Sequence, residues 1–303
     1  MEDRYLSAEA RAFLQQTVEP LPPFTPERAA LYREAAEAEF LPSAARAVAR
    51  HGVEVNEIEI SGVPCLEILP PDREEGRTLF YGYGGGYISG SAREDLIVSV
   101  PLGVHARARV VAVDYRRAPE HPWPAAPDDA EAVYRVLCAG PGKLAVAGES
   151  AGGNLMLVTL RRAQAAGLPM PCAAVLLSPW CDLTHGGDSL AANDGRDPTL
   201  PFGYVDGAAE AYAGEAARDD PDISPLLGRF GPWFPPALIT TGTRDLLLSP
   251  SVELARRLRA AGADVDLRIW DGLWHVFEFY DELPEAAESL AQAGAFLDRR
   301  FTS

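Results

Sequence analysis

The sequence predicts an α/β chain: a mostly parallel central sheet flanked by helices, with a helical cap. Three observations predict it. Short strand-like runs at Thr78 to Tyr81, Val110 to Asp114, Leu144 to Gly148, Ala173 to Leu177, Ala237 to Thr241 and Val265 to Trp270 are mostly separated by helix-like stretches, as in parallel strands joined by crossover helices. The chain has 303 residues, 47% of them hydrophobic, enough to bury one large core. No internal repeat or low-complexity tract breaks the pattern.

Taken in order, the first elements are two amphipathic stretches. One runs from about Asp3 to Val18; the other is opened by Thr25 as N-cap, with Pro26 at the first helical position. Val53 to Ile60 and Cys65 to Leu69 alternate apolar and polar residues around Ser61-Gly62-Val63-Pro64, which fits an antiparallel pair. The alternation of strands and helices then begins. It is interrupted between Leu177 and Ala237, where Gly, Asp and Pro are frequent and only Gly203 to Ala213 reads as helix; a stretch of that length is a functional insertion rather than a plain connection. A helix from about Glu285 to Phe301 closes the chain. Residues 1–50 therefore read as an N-terminal helical cap segment and 51–303 as one α/β domain, in which 182–222 is an insertion contributing to the cap.

The 44 acidic side chains exceed the 27 basic ones by 17. Such a surface repels phosphate backbones and anionic lipid headgroups, which disfavours nucleic-acid and membrane partners and favours solubility. The start, Met1 to Tyr5, has no basic region leading into an apolar one, and no run of about eighteen apolar residues follows. A cytoplasmic protein is expected. Cys65, Cys138, Cys172 and Cys181 show no CxxC pair or tight disulfide spacing, so they are read as reduced, mostly buried thiols.

The chemistry starts at Gly148-Glu149-Ser150-Ala151-Gly152. A buried strand, Leu144 to Ala147, enters this GxSxG pattern, and a helix from Asn154 to Ala166 leaves it, ended by Gly167 with Pro169 beyond. Small residues on both sides of Ser150 let the chain turn sharply from strand to helix and expose the hydroxyl. A second cluster, Tyr83-Gly84-Gly85-Gly86-Tyr87, follows the strand at Thr78 to Tyr81. Acyl transfer builds negative charge on a carbonyl oxygen, and backbone N–H groups free of side-chain bulk can point at it. A nucleotide-binding loop fits badly, because a GxGxxG opened by Gly82 and Gly84 would end on Tyr87 and no Gly-Lys-Ser/Thr follows.

In the α/β-hydrolase fold the triad runs Ser, then Asp or Glu, then His. Of five histidines, only His185 and His275 follow Ser150. His185 lies in the polar insertion, whereas His275 sits just past the strand ending at Trp270. Asp245 follows the strand Ala237 to Thr241 and would orient the imidazole. Asp264, Asp266 and Asp271 are local rivals, read as solvated strand-end carboxylates.

These motifs resemble the hormone-sensitive-lipase-like family of bacterial esterases, over about Thr78 to Phe301. Besides the elbow and its extension Gly153-Asn154, the resemblance is carried by Val113-Asp114-Tyr115-Arg116-Arg117-Ala118-Pro119-Glu120-His121-Pro122, Ser178-Pro179-Trp180, Asp222-Ile223-Ser224-Pro225, Pro235-Pro236-Ala237 and Trp274-His275. It implies an α/β-hydrolase core, a cap from the N-terminus and the insertion, and no cofactor. It also implies a small ester as substrate, split through an acyl-enzyme, and leaves a homodimer open. Carried over to this chain, Ser150 is nucleophile, His275 base and Asp245 acid. The N–H groups of Gly84, Gly85 and Ala151 form the oxyanion hole, and Tyr83, Tyr87, Trp180, Phe202 and Trp274 contact substrate.

Three departures matter. Tyr83 stands where the family has His, and Glu149 where it has Asp. The acid segment Asp245-Leu246-Leu247-Leu248-Ser249-Pro250 lacks a second acidic residue; Ser249 with Pro250 reads instead as a helix N-cap with proline at the first helical position. Short-to-medium acyl esters are expected, acetyl to about hexanoyl, with Phe24, Phe40, Phe202, Tyr204 and Tyr212 flooring the acyl pocket. The same machinery acting on an amide or N-acetyl group, a ligand receptor of this fold, and an eliminating dehydratase are the alternatives. An intact Ser150, Asp245 and His275 argues against the receptor.

Overall fold

The computed structural model describes residues 4–16 and 22–303, so Asp3 and Val18, the expected ends of the first amphipathic stretch, lie outside the described residues. Within them α1 (Ala8–Leu14) is capped by Ser7, whose hydroxyl accepts from the Ala10 N–H at 3.0 Å. Thr25 and Pro26 do not open the second helix directly. They begin a single 3-10 turn, Pro26–Arg28, without a side-chain cap, and α2 (Ala29–His51) continues from it to Gly52, whose left-handed backbone stops the helix.

β1 (Glu54–Ile60) and β2 (Val63–Leu69) form the expected antiparallel pair. Ser61 and Gly62 both have positive φ, 52° and 80°, the requirement of a two-residue type I′ hairpin. β3 (Arg77–Gly82), α3 (Leu96–Ala106), β4 (Arg109–Val113), α4 (Ala125–Ala139), β5 (Lys143–Glu149), α5 (Ser150–Ala165) and β6 (Ala174–Leu177) follow. The insertion holds α6 (Ser189–Ala192) and α7 (Phe202–Ala213), and β7 (Ala237–Gly242), α8 (Leu248–Ala260), β8 (Val265–Trp270) and α9 (Pro284–Thr302) complete the chain. The strands make one eight-stranded sheet in the order β1-β2-β4-β3-β5-β6-β7-β8. β1 with β2 and β2 with β4 are antiparallel; every pair from β4 to β8 is parallel. The fold class read from the sequence is the one observed. β4 to β7, covered by helices, are almost wholly buried, whereas the edge strands β1 and β8 are half-exposed.

Two expected boundaries shift. α5 starts at Ser150 rather than Asn154, because Gly152 and Gly153, which read as loop, are helical and packed: a Cβ at Gly152 would lie 2.0 Å from the Gly82 carbonyl oxygen. α8 starts two residues before Pro250, so Ser249 is no N-cap. Its hydroxyl instead accepts from the Ser189 N–H, and its own N–H donates to the Ser189 hydroxyl, which ties the insertion to α8. Pro250 still falls in the first turn, where its missing N–H leaves no bond unmade. All four cysteines are free; Cys65 and Cys181 are buried, while Cys138 and Cys172 are only partly so. Among the described residues no helix is long and apolar enough to cross a membrane.

The parallel strands fix the site. Their carboxyl ends lie along one edge of the sheet, so the segments that follow β3, β5, β7 and β8 converge there.

Candidate active site

Ser150 sits at the junction of β5 and α5 with φ +49°, a left-handed conformation that an L-residue adopts only when its surroundings impose it. Those surroundings are backbone. A Cβ at Gly148 would lie 2.4 Å from the Gly152 carbonyl oxygen, so neither flanking position has room for a side chain. The turn presents the serine hydroxyl at the start of a helix, where unpaired N–H groups and the helix dipole favour negative charge.

Two later loops meet that hydroxyl. His275 Nε2 lies 2.9 Å from Ser150 Oγ and its Nδ1 lies 3.0 Å from Asp245 Oδ1. A carboxylate only accepts, so Nδ1 carries the proton and Nε2 is the lone pair facing the serine. Asp245 is fully buried and also accepts from the Leu247 N–H at 2.8 Å and the Thr241 hydroxyl at 2.9 Å. Burial alone would raise its pKa; the imidazole and these hydrogen bonds outweigh it and hold the carboxyl below its usual range. For His275 burial is the largest single influence and lowers the pKa, but the Asp245 carboxylate, with Asp197 and Glu278 beside it, raises the net value.

One residue of this arrangement escaped the sequence reading. Asp197, in the insertion, accepts the His275 N–H at 2.9 Å and also the N–H groups of Thr199 and Leu200. It holds the histidine loop from the cap side. No motif surrounds it in a segment rich in acidic residues, and 78 residues separate it from its partner. The rivals lie elsewhere. His185 contacts Asp206 and Arg218 within the insertion, Asp264 pairs with Arg300, Asp266 with Arg268, and Asp271 accepts from Thr243.

The glycine loop lies beside Ser150. The Gly84 N–H supports the Glu149 carboxylate, and a Cβ at Gly84 would come within 2.0 Å of Glu149 Oε1. Gly84, expected as an oxyanion donor, therefore packs against that carboxylate. Gly85 and Gly86 follow with φ +90° and +62°, and among the described residues their N–H groups donate to no backbone carbonyl. Tyr83 shapes this loop. Its ring stacks on Tyr115 at 4.2 Å, its hydroxyl donates to the Tyr115 carbonyl at 3.2 Å, and the Tyr115 hydroxyl returns a bond to the Tyr83 carbonyl at 2.9 Å. Because that hydroxyl is already committed, Tyr83→Phe is expected to lose less than the roughly 100-fold in kcat that removal of an oxyanion donor costs. A larger loss, measured on one p-nitrophenyl ester, would make the hydroxyl part of the site.

A cavity of about 480 Å³ opens over Ser150 and His275. α1, α2, the glycine loop, residues 194–201 and Tyr204 line it. Of the five expected substrate contacts, only Tyr83 lines this cavity. Tyr87 is buried under it, stacked on Tyr212 at 3.7 Å and donating to Asn154 Oδ1. Trp180 is buried behind the elbow, its carbonyl accepting from Asn154. Phe202 meets His185 edge-on, and Trp274 stacks on Phe13 at 4.5 Å. Of the rings expected to floor the pocket, Phe40 and Tyr204 line it, whereas Phe24 packs on Tyr32 and Tyr212 on Tyr87. Among the described residues no group of His, Cys, Asp or Glu is disposed to hold a metal ion.

A family model described as alpha/beta hydrolase fold matches residues 79–279. The chain is 37% identical over 250 residues to an acetyl-hydrolase of Streptomyces hygroscopicus, a span covering 81% of this chain and 83% of the relative. It is 29% identical over 249 residues to an esterase of Acinetobacter venetianus, covering 80% and 82%. A crystal structure of a hormone-sensitive lipase from a metagenome library superposes with a TM-score of 0.87 at 34% identity, covering 96% of this chain and 98% of that one. One of EstE5 soaked with p-nitrophenyl butyrate gives 0.88 at 30% identity, covering 97% and 98%.

Proposed function

The chain belongs to the α/β-hydrolase family, in its hormone-sensitive-lipase-like group of bacterial esterases, and from that premise we propose that Ser150, His275 and Asp245 are the triad of a carboxylic ester hydrolase. The protein is a serine ester hydrolase; which residues carry the reaction, and on what ester, is our reading. The observation that carries it is the unbroken line Asp245 Oδ1, His275 Nδ1, His275 Nε2, Ser150 Oγ, with separations of 3.0 and 2.9 Å. Neutral His275 takes the hydroxyl proton through Nε2 as Ser150 Oγ attacks the ester carbonyl. Charge on the carbonyl oxygen is met by the N–H groups of Gly85, Gly86 and Ala151, the first two in place of the expected Gly84 and Gly85. The imidazolium returns its proton to the leaving alcohol, and an acyl-enzyme remains on Ser150. A water, deprotonated by the same Nε2, then releases the acid and restores the serine.

We assign residues 1–50 and 182–222 to a cap, since α2 and residues 194–201 wall the cavity from above. The four free thiols support a reducing compartment, the cytoplasm. The cavity must hold acyl and alcohol parts together in about 480 Å³, and the acidic chain has little attraction for anionic lipid. Acetyl to about hexanoyl p-nitrophenyl esters should therefore exceed dodecanoyl by at least about tenfold in kcat/KM. The assay runs this series beside an emulsified long-chain triglyceride. A maximum at dodecanoyl or beyond, or a jump in rate at the emulsion threshold, identifies a lipase instead.

A further inference from the structure

On the triad reading above, the position of His275 Nε2 decides whether the serine proton can be taken, and the loop that carries it is held in an imposed shape. Val276, the next residue, has φ +41°, a left-handed conformation that a β-branched side chain opposes. Three bonds hold residues 273–276. The Arg244 N–H donates to the Leu273 carbonyl at 2.8 Å, the Val276 N–H to the Ser178 hydroxyl at 3.2 Å, and the His275 N–H to Asp197 Oδ2 at 2.9 Å. The first two partners lie just past β7 and β6, on the sheet. The third comes from the insertion and is the carboxylate among them.

Asp197 is 6% exposed, and its two oxygens divide the work. Oδ2 accepts from His275, whereas Oδ1 accepts from the N–H groups of Thr199 and Leu200 at 2.9 and 3.0 Å and from the Thr199 hydroxyl at 3.0 Å. Four donors occupy the acceptor positions of an ionised carboxylate. Burial, with Asp245 nearby, raises this carboxyl above its usual range, and His275 and the N–H groups oppose the rise. Pro198, Thr199 and Leu200 line the cavity over Ser150. One buried side chain therefore joins the turn that walls the cavity to the backbone of the base.

We propose that Asp197 is a positioning residue of the reaction, which fixes His275 Nε2 against Ser150 from the insertion and sets a second negative charge beside the imidazolium formed when the serine proton is taken. It acts through His275 and not on the ester.

The test is Asp197→Asn. The amide oxygen can keep the turn at Thr199 and Leu200, while its NH2 group meets the His275 N–H donor against donor, and the charge is gone. Acylation and deacylation both pass through Nε2, so kcat on p-nitrophenyl butanoate should fall about 10- to 100-fold, the cost of a small misplacement of the reacting groups. KM should stay within about threefold, because the wall is kept. The carboxylates around His275 are Asp245 after β7, Asp197 from the insertion and Glu278 in the short turn Phe277–Phe279. Asp245 and Glu278 are untouched by the substitution, so the midpoint of kcat/KM against pH should move down by the share that Asp197 supplies. That midpoint does not depend on how much of the protein is folded. His275→Ala is measured beside it. If His275→Ala loses activity and Asp197→Asn keeps either the wild-type kcat or the wild-type midpoint, the proposal is overturned and the triad stands. An unmoved midpoint marks a merely structural role; an unmoved kcat with a raised KM makes Asp197 part of the wall alone. Activity retained in His275→Ala overturns the triad reading and the proposal with it.

Discussion

His275→Ala is expected to lower kcat by about a million-fold, the loss seen when a triad that acts as a unit loses its base. His275 Nε2 lies 2.9 Å from Ser150 Oγ, whereas His185 is bound to Asp206 within the insertion. The pH profile of the wild type carries the same information in a form that a merely structural histidine would not produce. Only the neutral imidazole accepts the serine proton, so kcat/KM should rise with pH through one ionisation. Burial works to lower that pKa, but the Asp245 carboxylate raises it above the ordinary value of 6.5, so the midpoint should lie above 6.5. Asp245→Asn removes the raising charge. It should move the midpoint down and lower kcat by about ten-thousand-fold, because an amide does not hold the ring with Nδ1 protonated. Loss of activity in His185→Ala with its retention in His275→Ala would contradict the assignment.

Most of the framework was legible because local pattern and tertiary environment agree. The β strands were readable as short apolar runs since central strands are covered on both faces, and the elbow because Gly148 and Gly152 leave room that no other residue leaves. The misreadings arise where contact is set by elements distant in sequence. Asp197 meets His275 across 78 residues, and nothing local marks it. Phe13 reaches the cavity only because α1 packs on Trp274, which turns that tryptophan, an expected substrate contact, into part of the wall behind it. Glu149 stands where the family has Asp, and its side chain packs against Gly84, which is why we propose oxyanion donors one residue further along the loop than expected. Ser249-Pro250 followed a sound helix-start rule, yet Ser189 claims the serine hydroxyl from another element.

The central claim is that Ser150 is the nucleophile, and its hydroxyl is the one group whose removal leaves His275, Asp245 and the glycine loop in place while abolishing covalent chemistry. Ser150→Ala should lose about a million-fold in kcat. The most direct measurement is covalent labelling of the folded protein with a fluorophosphonate probe, read by intact mass. One adduct on the wild type, located at Ser150 by peptide mapping, and none on Ser150→Ala is the result expected; labelling of the alanine variant to the same extent would contradict it.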